Sequence, residues 1–163
     1  HGKKYPGFLF SPCIGTYSWI ISIGKKIGAS AEGRKAREPI AANLSPVPGR
    51  DISGPTAAVR SYLKLNTSPM AAGAPLDLRV SGSGLEGEEG INRVAGLIQT
   101  FLEEGGNMMT LTITSADELR RAMAEPEKYR GLRVRMGGWS AYYALLSKAS
   151  QEVHLKRVEH GFA

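Results

Sequence analysis

Apolar and polar positions recur along this chain with two different periods, and the switches between them predict its elements. Tyr17 to Ile23 (YSWIISI) is β-branched and aromatic and predicts a buried strand. From Gly24 to Arg50 the periodicity lapses, and Gly28, Gly33, Pro39, Pro46, Pro48 and Gly49 punctuate a long loop. A loop of that length inside a compact domain carries function or needs a partner to order it. Thr56 to Leu65 returns to helical spacing through Ala57, Val59, Tyr62 and Leu63, and Leu76 to Val80 (LDLRV) alternates with the period of a strand. Glu88 to Glu104 predicts the clearest helix, with Ile91, Val94, Ile98 and Leu102 on one face and Gly105-Gly106 as its stop. Met108 to Thr114 (MMTLTIT) predicts a strand. Ser115 and Glu118 make a capping box that opens a helix running to about Ala124. Leu132 to Met136 (LRVRM) predicts another strand, broken by Gly137-Gly138, and Gln151 to His160 a closing helix ended by Gly161. Strands and helices in alternation make the fold class α/β.

Composition narrows this picture in few ways. At 163 residues, 42% hydrophobic and 22% charged, the chain is an ordinary globular domain, which excludes a disordered tail or a collagen-like repeat. Glycine stands out at 20 residues, against a usual share of ~7%. A single cysteine excludes an internal disulfide framework or a multi-cysteine metal site and suits a reducing cytoplasm. No apolar run reaches the ~18 residues of a membrane span. The chain begins at His1 with an apolar run close behind and carries no signal peptide, so a piece of something longer is expected.

Charge is uneven. The net +6 resides entirely in residues 1–60, and the remainder balances. A basic segment suits nucleic acid, an anionic substrate or an acidic partner surface. Few aromatics interleave with these charges and no nucleic-acid motif is present, so a solvated or partner-facing surface is the better reading.

Gly82-x-Gly84-x-x-Gly87 sits between a predicted strand and a predicted helix, the context of a dinucleotide fingerprint. Glu86, Glu88 and Glu89 crowd the same helix start; they complement the helix dipole themselves and would repel a phosphate. The motif reads as a helix entry. Asn43-Leu-Ser45 and Asn66-Thr-Ser68 match the glycosylation sequon by chance. His154 and His160, six apart, do not share a helix face, and no metal site is expected. Cys13 has no neighbouring His in sequence to activate it.

The glycine pair alone would read as a turn, but its surroundings say more. Pro126-Glu-Lys-Tyr-Arg-Gly-Leu-Arg-Val-Arg-Met-Gly-Gly-Trp-Ser-Ala-Tyr-Tyr143 resembles the C-terminal signature of the glycyl radical enzymes, the pyruvate formate-lyase superfamily, which reads PEKYxxLxVRVxGYSAyFxxLsxxxQ. Leu146-Ser147 and Gln151 fall where that pattern places them. Further blocks follow in order: Gly28 to Arg34 resembles GATPDGR, Ser45 to Ala57 resembles SPxxGxDxxGPTA, and Leu85 to Gly90 resembles LxGEEG. The chain departs from the pattern at Trp139, where Tyr is usual, at Met136, where Val is, and at Ser30-Ala31-Glu32.

The resemblance implies a radical on Gly138, with Gly137 in a variable position and Arg135, Trp139 and Ser140 completing the radical loop. It implies the C-terminal part of a ten-stranded α/β barrel of two half-barrels, with residues 1–104 belonging to the barrel and 105–163 forming the glycyl radical domain. That second unit is expected to move about hinges near Gly105–Gly106 and Gly131. The first strand is expected to line the substrate pocket through Cys13 or Tyr17. No cofactor is expected on this chain; the radical is installed by a separate activating enzyme carrying an iron–sulfur cluster and S-adenosylmethionine. The other implied partner is the remainder of the enzyme, with its thiyl-forming cysteine, in a homodimer at full length; nucleic acid and membrane are not expected. The chemistry implied is C–C cleavage, decarboxylation or elimination, or an acyl transfer. Alternatively the chain is a stand-alone, non-catalytic radical subunit that docks onto and restores a larger partner.

Overall fold

The computed structural model describes residues 6–8, 10–16, 19–83, 85–136, 139–157 and 159–161. Its elements run α1 (Ile20–Gly24), α2 (Pro55–Tyr62), β1 (Pro75–Val80), α3 (Gly87–Glu103), β2 (Met108–Ile113), α4 (Ala116–Ala124), β3 (Arg133–Arg135), β4 (Ser140–Tyr142), α5 (Lys148–Lys156) and β5 (Glu159–His160), with short 3-10 turns at Pro126–Tyr129 and Tyr143–Leu145. The fold is mixed α/β. A parallel sheet in the order β2-β1-β5 forms its centre, and β3 and β4 form a separate antiparallel hairpin.

β1 is the middle strand and is buried along its whole length. Alternation sends Leu76 and Leu78 to one face, where they pack with Ala58, Val59 and Tyr62 of α2 and Leu97 and Phe101 of α3. Asp77 and Arg79 point to the other face and are just as buried. Beyond that face lie the loop around Asn43, helix α5 and a second apolar cluster of Ile20, Ala42, Leu119, Ala122, Val134, Met136, Tyr143 and Val153. The sheet is therefore covered on both sides, as parallel strands require. It draws β1 from residues before 104 and β2 and β5 from residues after it.

Three expectations are corrected. Of the first predicted strand, Tyr17–Ile23, residues 20–23 instead belong to the short helix α1, while Tyr17 and Ser18 lie outside the described residues. β-branched side chains favour a strand only where a neighbouring strand accepts them; here Ile20 is buried while Trp19 and Ile23 stay exposed. The closing helix stops at Lys156, and Glu159–His160 turns into an edge strand paired in parallel with Arg79 and Val80 of β1. The third correction concerns α3. Its extent matches, but its buried face carries Gly90, Leu97 and Phe101, whereas Ile91 and Leu102 are 65% and 60% exposed. The helix is rotated by about one residue from the apolar stripe. Two contacts set that rotation. A Cβ on Gly90 would meet the Leu85 backbone at 2.3 Å, so only glycine permits this approach. The Phe101 ring packs at 5.1 Å from the Tyr62 ring, and its large apolar area takes the core position.

The helix expected from the capping box is α4, and the Glu118 N–H donates to Ser115 Oγ at 3.0 Å. The reciprocal half of the box goes elsewhere: Glu118 Oε2 accepts from Thr114 Oγ1 at 2.6 Å. The loop from Lys25 to Gly54 holds no helix or strand and orders itself through buried Arg34. That guanidinium donates to Ser30 Oγ and to the carbonyls of Gly28, Lys35 and Glu38. A three-stranded sheet cannot close on itself, so the ten-stranded barrel is not visible in this chain. Among the described residues, no helix is long and apolar enough to cross a membrane.

Candidate functional site

The hairpin β3–β4 pairs Arg133 with Tyr142, Val134 with Ala141 and Arg135 with Ser140. One further backbone bond, from the Met136 N–H to the Trp139 carbonyl at 2.8 Å, closes its described end. Gly137 and Gly138 fall in sequence between those two residues and lie outside the described residues, as does Tyr17. The setting of the glycine pair is therefore read from its flanks.

Period-two alternation splits the hairpin into two faces. Outward, Arg135 Nη1 donates to Ser140 Oγ at 2.9 Å, bridging the two arms beside the glycines. Arg133 Nη2 donates to the Tyr142 hydroxyl at 2.9 Å, and its guanidinium carbon lies 5.0 Å from that ring centre, a cation–π contact of about 0.5–1 kcal/mol at an exposed site. Trp139 is 52% exposed. Inward, Val134 and Met136 are buried in the second apolar cluster. The hairpin also reaches the central sheet: the Arg135 N–H donates to Thr112 Oγ1 on β2 at 3.1 Å.

Beneath the hairpin lies a layer of buried polar side chains. His154 of α5 is 2% exposed. Its Nε2 sits 3.2 Å from Met136 Sδ, and its ring meets the Tyr143 ring edge-on with centres 6.2 Å apart. Tyr143 and Gln151 lock together: the Tyr143 hydroxyl donates to the Gln151 carbonyl at 3.1 Å, and Gln151 Nε2 donates to the Tyr143 carbonyl at 3.0 Å. From β1, Arg79 donates to the carbonyls of His154 (3.1 Å) and Arg157 (2.5 Å), placing a cation at the C-terminal end of α5 where the helix dipole favours it. Farther along the same face of β1, the Asp77 carboxylate accepts from Asn43 Nδ2 (2.7 Å), Ser45 Oγ (3.2 Å) and Thr110 Oγ1 (2.5 Å). At the edge, His160 Nε2 lies 2.7 Å from Asp51 Oδ2, which ties the loop to β5.

Protonation in this layer follows from burial. Desolvation, reinforced by the positive charges of Arg157 and Arg79, drives His154 down to about 3, so the imidazole is neutral. Desolvation also raises Tyr143 to about 12, which keeps its donating proton, and lowers Arg79 against the opposing pull of Glu159. A histidine that is neutral when folded and ordinary when unfolded makes stability depend on pH. Between about 6.5 and about 3 the unfolded chain binds the extra proton, so His154's contribution is full above 6.5 and falls as pH drops through that window. The slope reaches about 1.4 kcal/mol per pH unit, or about 2 kcal/mol between pH 6.5 and 5. Melting His154→Gln beside the parent at pH 7 and pH 5 checks this: the parent should lose more stability, by about that amount, and equal losses would contradict it.

Among the sequence-derived candidates, the structure brings Arg135 and Ser140 into contact and leaves Trp139 at the hairpin's end. Cys13 is exposed, on a segment whose neighbours Pro12 and Ile14 bond to Ala72 and Gly73 before β1 begins. It does not join the hairpin, which meets the sheet at Thr112, opposite Arg79 in the register. Asn43, the first sequon asparagine, spends its amide on Asp77. His154, Arg79 and Asp77 have no motif to mark them; only the period-two placement of 77 and 79 signals that they share a face. No group of three or more His, Cys, Asp or Glu able to hold a metal occurs among the described residues.

Comparison with known proteins places this hairpin in context. A family model described as "Glycine radical" matches residues 40–144. The chain is 33% identical over 166 residues to (2S)-3-sulfopropanediol dehydratase of Klebsiella oxytoca, covering 99% of this chain and 20% of that protein. It is 34% identical over 154 residues to indoleacetate decarboxylase of Tractidigestivibacter scatoligenes, covering 88% of this chain and 17% of that one. The glycerol-bound B12-independent glycerol dehydratase of Clostridium butyricum superposes with a TM-score of 0.89 at 33% identity, over 96% of this chain and 20% of that one. The chain spans about a fifth of the length of the curated relatives it matches.

Proposed function

Because the chain belongs to the glycyl radical enzyme family, we propose that it is the radical-bearing C-terminal portion of a dehydratase- or lyase-type enzyme, with Gly138 as the radical residue. The observation that carries this reading is the hairpin itself. It is a short antiparallel ribbon whose closing pair, Met136 and Trp139, flanks Gly137-Gly138, inside the span the family model matches. Residues 1–104 then supply part of the barrel and 105–163 the glycyl radical domain.

An activating enzyme with an iron–sulfur cluster and S-adenosylmethionine removes one hydrogen atom from the Gly138 Cα. The resulting radical takes the hydrogen atom of a cysteine thiol in the remainder of the enzyme, restoring the Cα–H bond and leaving a thiyl. The thiyl takes a hydrogen atom from substrate, the substrate radical expels its leaving group, and the product radical recovers the hydrogen from the thiol. Curated relatives named as dehydratases, a decarboxylase and sulfite-lyases favour elimination or bond cleavage over acyl transfer. In this chain Arg135 and Ser140 brace the arms beside the glycines, while Met136 and Val134 anchor the ribbon beneath them. The outer face of α3, with Ile91, Ile98 and Leu102 exposed, offers the remainder of such an enzyme an apolar surface to cover.

Oxygen tests this reading. A backbone carbon radical captures dioxygen and the chain breaks at that carbon, so brief air exposure of the activated protein should give one new cleavage, at Gly138, with a C-terminal fragment of the residues beyond it. An intact chain after verified activation would count against Gly138. The alternative, a stand-alone radical subunit, is separated by mixing the activated chain with a full-length relative already cleaved at its own radical glycine: restored turnover supports the subunit reading, and none supports the portion of a longer enzyme.

A further inference from the structure

The pattern that this chain resembles carries valine where Met136 stands, and a valine offers nothing to an imidazole. Here Met136 Sδ lies 3.2 Å from His154 Nε2, and both residues are buried. A thioether has no proton to donate, so the contact requires a proton on Nε2 pointing at sulfur. The same ring meets Tyr143, the residue that follows β4. His154 thus touches both arms of the hairpin, one residue before the glycine pair and one residue after the second strand. Its own carbonyl is held by Arg79 from the central strand. We propose that His154 is the positioning residue of the hairpin: through Met136 and Tyr143 it latches both arms to α5 and the central sheet, and the latch sets how often the Met136 and Tyr143 ends of the two arms part from α5.

The chemistry makes the latch weak by design of its atoms. A neutral N–H donating to a thioether is a soft hydrogen bond, strong enough to bias a two-state element yet easily broken. Release must expose Met136 and the Tyr143 ring together, because one imidazole contacts both. The latch concerns the hairpin's geometry alone, whereas its consequence for activation rests on the radical reading above.

Amide hydrogen exchange and activation kinetics test it jointly, on the chain and on variants Met136→Leu, His154→Leu and His154→Gln. Leucine keeps the volume of Met136 and removes the acceptor; glutamine keeps an N–H donor where leucine has none. Met136→Leu and His154→Leu should each speed exchange of the Met136-position amide, whose N–H closes the hairpin, by about fivefold, and His154→Gln should recover most of the parent's protection. In Met136→Leu and His154→Leu the initial rate of radical formation should rise by a similar factor while the radical's lifetime shortens, and His154→Gln should stay near the parent in both. A residue that merely stabilised the fold would lower both. Unchanged hairpin exchange in Met136→Leu, or a His154→Gln variant no better protected than His154→Leu, overturns the latch. Changed exchange with no radical in any form, the parent included, leaves the latch standing and overturns the radical reading instead. Slower activation together with faster exchange overturns the link between them.

Discussion

Replacing Gly138 with alanine is expected to abolish the persistent organic radical while leaving the fold in place. A Cα radical is stabilised by delocalisation between the amide nitrogen lone pair and the adjacent carbonyl, which requires a planar centre. A Cβ substituent clashes with the flanking peptide groups in that plane, and glycine alone escapes the clash. The expected outcome is therefore complete loss: spin at background after anaerobic activation, and no cleavage by oxygen. Gly137→Ala makes the contrast, because that position is variable in the pattern the chain resembles and should keep the radical. Equal melting temperatures of parent and Gly138→Ala would show that the loss is chemical. Retained radical in Gly138→Ala would move the reactive site elsewhere.

The second large effect is expected at Asp77, on the middle strand of the sheet. This buried carboxylate gathers Asn43, Ser45 and Thr110 onto the middle strand, and the Asp77 N–H itself donates to Ser45 Oγ at 2.8 Å. Asn43 in turn holds Thr16, whose N–H donates to Asn43 Oδ1 at 3.1 Å. One carboxylate thus fixes the loop over β1 and joins β1 to β2. Asp77→Ala strands several buried donors at once, and each hydrogen bond to a charged group contributes about 1.5–3 kcal/mol, so destabilisation of about 3 kcal/mol or more is expected. Asp77→Asn keeps the shape and one acceptor oxygen and should cost clearly less. Denaturant unfolding of the three forms checks the ranking; an alanine variant within about 0.5 kcal/mol of the parent, the range of ordinary surface changes, would contradict it.

Elements whose sequence and environment agree were legible before the structure. Leu76–Val80, the α3 span and the Ser115 cap each carry a local signal that the tertiary fold does not override. The family was legible because ordered blocks surround the glycine pair in sequence. Errors arose where a local signal has two physical outcomes. YSWIISI is β-prone, but strand formation needs a neighbour, and none is supplied to Ile20. On α3 two apolar stripes compete, and the winner is decided by a backbone approach at Gly90 and a ring contact at Phe101, neither of them visible in a periodicity. Alternation showed that Asp77 and Arg79 share a face but not that loop and helix cover it. His154 was invisible for a related reason: its partner Met136 is 18 residues away, and only folding the hairpin onto α5 makes a pair of them.

The residue that stores the radical can be read directly. An unpaired electron on a glycine Cα couples to the one hydrogen left there and splits the resonance into a doublet. The chain is to be made with ordinary glycine and with glycine deuterated at Cα, activated anaerobically, and examined by electron paramagnetic resonance beside Gly138→Ala. A doublet that collapses on deuteration and is absent from Gly138→Ala is the expected result. A persistent radical whose line shape ignores the deuterium, or one that survives in Gly138→Ala, would contradict a glycyl radical at this position.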